Sequence, residues 1–325
     1  MRTFRSQSRA LKDSEISKQA NMMRAGALLV VFVMFLWSDE ASAGNEQQLK
    51  IGGGNIRIEF GSLPSPSLRK LVIEWVTTSA QAISIYYQKF PVSNVRIGIR
   101  FFEGHGTRFG RANGWNGASI TMAVGTLNTA SDFAKDWEMT HEMVHLAFPS
   151  VPESHHWIEE GIATYVEPIA RARAGNLSAE KVWGDLVDGL PQGLPKAGDR
   201  GLDFTPTWGR TYWGGALFCL LADVEIRKRT QNTKGLEHAL RAILEAGGTI
   251  TSDWDLTKAL RIGDDATGVS VLSELYEKMK AEPVTVDLQA FWRQLGVKQE
   301  AGRIYFDDSA PLAEIRRAIT QRAES

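Results

Sequence analysis

His141 and His145 stand four residues apart with Glu142 between them, in the run Thr140-His-Glu-Met-Val-His145. After eleven intervening residues the chain reads Trp157-Ile-Glu-Glu-Gly161. Positions i and i+4 of a helix lie one above the other. A helix here therefore aims two imidazoles at one point, with Glu142 at the edge of the same face. Zinc sites that do chemistry take three protein ligands and leave the fourth position to water. The third ligand must come from outside this turn, and Glu160 is the candidate. Few folds can satisfy this demand, because a distant carboxylate has to reach the ion that the two rings address. Asp132 to Phe148 contains no glycine and no proline before Pro149, which predicts one uninterrupted helix. Phe133, Trp137, Val144 and Phe148 would anchor it near the histidine face. The competing reading is a pair of surface or capping histidines on an amphipathic helix.

The residues after His145 narrow the choice. A metzincin would carry a third histidine six residues on, where this chain has Val151. Instead a loop with Pro149 and Pro152 leads into Trp157–Glu167, predicted as a second helix of about three turns ended by Pro168. The pairing of H-E-x-x-H with W-x-x-E-G-x-A-x-Y resembles the gluzincin metallopeptidases, thermolysin-like and aminopeptidase-type enzymes among them. The resemblance implies that the Glu directly before the Gly binds the metal, so it selects Glu160 over Glu159, with Zn2+ as the ion. His155 and His156 are then residues of the loop or the substrate cleft and not further ligands. A second block, Thr211-Tyr-Trp-Gly-Gly-Ala216, is similar to the Y-x-x-G-A segment of aminopeptidase-type gluzincins, closest to the glycyl-aminopeptidase-like group. By that likeness Tyr212 lies over the metal and donates to the oxyanion as it forms. Its alternative is an ordinary buried aromatic beside Trp213. Arg210 reads as a solvated arginine, or else as an anchor for a substrate carboxylate.

The chain begins with six basic residues in its first 24 (Arg2, Arg5, Arg9, Lys12, Lys18, Arg24). The 13 uncharged residues Ala25–Trp37 follow, and then Ala41-Ser-Ala43. A basic region, a short apolar core and an Ala-x-Ala site predict a secretory signal peptide over 1–43, with Met22 or Met23 as a possible true start. A 13-residue helix rises about 20 Å, too little for the ~30 Å hydrocarbon core, so a cleaved leader is favoured over a permanent anchor. The expected location is the periplasm or the exterior, with no membrane span after cleavage. With 37 Lys and Arg against 38 Asp and Glu, nothing calls for a nucleic acid or an anionic membrane as partner. Cys219, the single cysteine, reads as a small buried hydrophobe.

The remaining pattern predicts an α+β fold. A small mixed lobe over 44–128 carries strands at 56–60, 95–102 and 118–124 and a helix at 67–89. A mainly helical part over 129–325 follows, with helices after Tyr212 and at 236–246, 270–280, 287–294 and 310–321. This arrangement fits a thermolysin-like zincin catalytic domain, and the resemblance makes 118–124 the sheet edge that takes an extended peptide. The Gly-rich stretch 104–117 is expected to be a loop. It has Gly114-Trp-Asn-Gly117 where the aminopeptidases carry a Glu for the substrate's amine, which leaves exo- versus endopeptidase action open. Asp185, Asp188, Asp199 and Asp203 read as solvated loop acids, since they lack the alternation of a calcium loop. The expectation is a zinc peptidase acting on peptide or protein, with Glu142 as general base and Tyr212 as oxyanion stabiliser. The alternative is a catalytically silent envelope scaffold of the same fold.

Overall fold

Alternating apolar residues build the N-terminal side into a sheet whose one face is buried. In a computed structural model that describes residues 45–323, strands β1 (Glu46–Ile51), β2 (Gly54–Phe60), β3 (Asn94–Phe102), β4 (Thr107–Asn113) and β5 (Ser119–Gly125) form one mixed sheet. The leader expected over 1–43 lies outside the described residues. Strand order is β1-β2-β3-β5-β4, with β2, β3 and β5 parallel and both outer strands antiparallel. Ile56, Ile58, Phe60, Val95, Ile97, Ile99, Ile120, Met122 and Val124 point to the covered face. Helix α1 (Pro66–Tyr87) connects β2 to β3. Pro66 opens it and the Ser65 hydroxyl caps it by accepting from Leu68 N–H.

Two strands departed from expectation. The polar stretch ahead of β2 forms β1, a hairpin partner turned at Gly52–Gly53. The supposed loop 104–117 contains β4, so β5 is an inner strand and β4 holds the edge. A bulge between Arg108 and Arg111, with Phe109 at φ 58, breaks the alternation that would have marked β4 as a strand.

The single helix expected over 132–148 is two, α2 (Ala130–Lys135) and α3 (Glu138–His145). The break sits at Asp136, whose ψ of 139° is extended. Its carboxylate accepts from Trp75 Nε1 at 2.9 Å, from the Thr107 hydroxyl and from Met139 N–H at 3.3 Å. Three donors from three elements hold the carboxylate and offset the backbone bonds lost at the break. Helix α4 (His156–Arg173) runs through Pro168 instead of stopping there. The turn beyond it buries Ile169, Ala170 and Ala172, and Arg171 pairs with Glu167 at 2.8 Å, which offsets the lost hydrogen bond.

The rest is helical: α5 (Ala179–Gly189), a π turn at Gly209–Gly214, α6 (Gly215–Arg229), α7 (Leu236–Glu245), α8 (Leu256–Thr267), α9 (Val271–Met279), α10 (Leu288–Leu295) and α11 (Ala313–Thr320), with a hairpin at Val297–Glu300 and Arg303–Phe306. Helix α8 and the hairpin were not foreseen. One apolar core runs from the sheet through α1, α3, α4 and α6. Among the described residues no helix is long and apolar enough to cross a membrane.

Candidate metal centre and cleft

Helix α3 presents His141 and His145 from successive turns, and α4 brings Glu160 against them. His141 Nε2 is 3.2 Å and His145 Nε2 3.7 Å from Glu160 Oε2. The three donor atoms all lie within 4.8 Å of one another. Tetrahedral zinc with bonds of about 2.0–2.2 Å separates its ligand atoms by about 3.3–3.5 Å, close to the two distances to Glu160, and the donor set fits the ion in number and chemistry. The protonation states of His145 and Glu160 suit ligation as well. Burial holds the His145 imidazolium down to about 4, so the ring is neutral. Burial of Glu160 opposes its charge, but the His141 hydrogen bond and the neighbouring imidazoles overcome it and keep the carboxylate ionised, at about 2. His141 is buried too, yet its bond to Glu160 and the charges of Glu160, Glu142 and Glu167 lift its pKa.

Glu142 points from the same helix toward the sheet edge. Its Oε2 accepts the Ala112 N–H of β4 at 2.6 Å. Burial raises the carboxyl to about 7, against the opposing pull of His141 and that N–H. A group poised there takes and returns a proton near neutrality. Gly110 makes room for it: a Cβ at that position would lie 3.0 Å from Glu142 Oε1.

Tyr212 sits in the π turn ahead of α6, its ring 6.3 Å from the His141 ring and 20° from parallel to it, with Trp208 also stacked on it at 5.8 Å. Burial, followed by the charges of Glu160 and Glu142, pushes its phenol well up, so it stays a donor. Two glycines set this placement. A Cβ on Gly161 would come within 2.4 Å of the Gly215 backbone, and one on Gly215 within 2.1 Å of the Trp157 carbonyl. Only bare backbones let α4 and α6 approach this closely, and that approach carries the Tyr212 turn to the His141, His145 and Glu160 group.

A cleft of about 750 Å³ contains all five of these side chains. Gly110–Trp115 of the sheet edge form one wall, and Phe148, Ser150, Ile250 and Asp253 close another part. A second chamber of about 540 Å³ shares Trp137, His141 and Tyr212 with it and is walled by Leu177, Pro168, Trp208 and Trp213. Phe109, Trp115 and Trp137 are exposed at the rim, the last contrary to its expected role as an apolar anchor.

His156 lines the cleft, whereas His155 turns away to Asp203 at 3.0 Å. Asp203 is no solvated loop acid. It also accepts from Trp157 Nε1 at 2.8 Å and Tyr276 hydroxyl at 3.0 Å, fixing the start of α4. Arg210 is buried and donates to the Gly193 carbonyl at 2.5 Å, so it is neither solvated nor free for substrate. Sequence reasoning missed the Ala112 N–H, since a backbone donor leaves no signature, and also missed Trp208. The link between His156 and Glu160 was missed as well, because His156 was assigned to the loop although it opens α4 at i, i+4 from Glu160.

No family model and no curated protein matches this sequence. Solved structures do. An aminopeptidase N family protein from Idiomarina loihiensis, 11% identical, superposes with a TM-score of 0.56 over 78% of this chain and 50% of its own. An M1 zinc metallopeptidase from Deinococcus radiodurans, 12% identical, gives 0.49 over 74% of this chain and 52% of that one. The chain thus spans about half the length of the structures it matches, and at such identity the first likeness speaks to the fold.

Proposed function

We propose that this protein is a zinc-dependent peptidase of gluzincin type, built on a thermolysin-like catalytic domain. The observation that carries the proposal is the convergence of His141, His145 and Glu160 from two helices, with Glu142 and Tyr212 facing the same space from different elements. The shared fold with an aminopeptidase N family protein supports it. His141, His145 and Glu160 would hold the ion, which when bound lowers the pKa of a water and polarises a carbonyl. Glu142 takes a proton from the attacking water and delivers it to the leaving nitrogen. The Ala112 N–H orients the carboxylate for both transfers. Tyr212 donates its hydroxyl hydrogen to the oxygen on which charge develops, where a fixed donor favours the transition state over the ground state. The outer edge of β4, beside the Ala112 N–H that Glu142 engages, offers main-chain groups to an extended peptide. The second chamber, lined by Trp137, Trp208 and Trp213 together with Glu167, Lys181 and Asp185, has room for a bulky side chain next to the scissile bond.

The basic, apolar and Ala-x-Ala succession at the N-terminus supports export, with action in the envelope or outside the cell. Sequencing the N-terminus of the mature protein tests this, and a chain starting at Gly44 is the expected result.

The decisive experiment measures zinc content and cleavage of an unbiased peptide library, which also separates exo- from endopeptidase action. Glu142→Gln is expected to retain zinc and lose nearly all turnover, whereas His145→Ala loses the metal as well. Wild-type turnover in Glu142→Gln would reject the mechanism. Bound zinc without cleavage of any peptide would favour the silent scaffold.

A further inference from the structure

We propose that His156 is a positioning residue: braced by Glu159, it fixes the orientation of the Glu160 carboxylate and thereby sets the affinity for metal. The inference rests on the zinc-site reading above and deepens it. His156, Glu159 and Glu160 occupy the first turn of α4 at i, i+3 and i+4, hence on one face. The imidazole spans both acids, with Nδ1 2.9 Å from Glu159 Oε2 and Nε2 3.4 Å from Glu160 Oε1.

The oxygens of both carboxylates are divided in a consistent way. Glu159 gives Oε2 to the ring and Oε1 to the Val151 N–H at 3.0 Å, which ties the ring to the loop after α3. Glu160 turns Oε1 toward the ring and Oε2 toward His141 and His145. A glutamate rotates freely about its terminal torsion unless both oxygens are engaged. Here His156 occupies the outer oxygen, so the inner one is directed at the histidine pair before any ion arrives. Partners of this kind commonly change metal affinity by about 10–100-fold when removed. His156 has little to do with the stability of the core, because its side chain is 43% exposed.

The test is zinc affinity measured by chelator competition, beside the melting temperature of the metal-free protein, for wild type, His156→Ala, His156→Gln and Glu159→Ala. Positioning requires His156→Ala to weaken zinc by roughly 10–100-fold with an unchanged metal-free melt. His156→Gln, whose amide can reach Glu160, should recover part of that loss. The double variant His156→Ala/Glu159→Ala should lose less than the two single losses combined, because both residues act through one carboxylate. Zinc affinity within twofold of wild type in both His156 variants overturns the inference and leaves the peptidase reading intact. A wild-type protein that takes up no zinc overturns both.

Discussion

The contact between Gly161 and Gly215 allows a quantitative trial of how the site is assembled. In Gly161→Ala the new Cβ would lie 2.4 Å from Gly215 Cα and carbonyl carbon and 2.8 Å from its oxygen, where ordinary contact begins at 3.4 Å. These are backbone atoms and cannot rotate aside, so α4 and α6 must separate by about 1 Å. Overpacking of this kind costs about 1–3 kcal/mol, and alanine's better helix propensity returns about 1 kcal/mol. The net loss is at most about 2 kcal/mol, visible as a drop of several degrees in melting temperature. Activity should fall sharply while the protein stays folded. Glu160 and Tyr212 ride on opposite sides of this contact, and a misplacement of about 1 Å can lower turnover about 100-fold, equivalent to about 2.7 kcal/mol of barrier. The assay compares peptide hydrolysis at saturating zinc with the thermal melt of the same preparation. Near-wild-type kcat in a variant that melts several degrees lower would refute the claim that this close approach positions the tyrosine.

Tyr212→Phe keeps the ring stacked on His141 and removes only the donor. It should lower kcat roughly 100- to 1,000-fold with KM and zinc content little altered, which steady-state kinetics and metal analysis would check. Glu237 reports on acid stability. It is buried, and although burial opposes its charge, Arg173 and Arg227 bring its pKa from the ordinary 4.5 to about 2. A folded-state pKa below the unfolded one contributes stability that is complete above pH 4.5 and disappears as pH falls toward 2. Glu237→Gln should therefore destabilise at neutral pH and flatten the melting-temperature curve between pH 4.5 and 2. An unchanged slope would contradict the ion pairing at 2.8 Å with Arg227.

The parts of the site that the sequence revealed were those set by short-range spacing. The i, i+4 relation of His141 and His145 needs only one helical turn, and the residues from Trp157 to Tyr165 likewise lie within one helix. The failures came from long-range partners. Nothing near Asp136 announces that Trp75 and Thr107 will claim its carboxylate and split the helix. Pro168 is a sound local stop signal, overridden because the following turn has an apolar core to enter. Strand β4 was hidden by its bulge and by a pleat that is mostly exposed, and no local pattern says which strand ends a sheet. Arg210 looked solvated because its acceptor, the Gly193 carbonyl, lies 17 positions away.

The six-residue π turn Gly209–Gly214 gives the site an unusual dependence on chain length. Such a turn carries one residue more than its α counterpart, and each residue of an α-helix advances the chain by about 100°. Removing Trp213, between Tyr212 and α6, would let the ladder relax into regular α-helix, and would swing the Tyr212 hydroxyl about a quarter of a circle away from His141. The address of that phenol is thus written as a count of peptide units, which a one-codon deletion would upset.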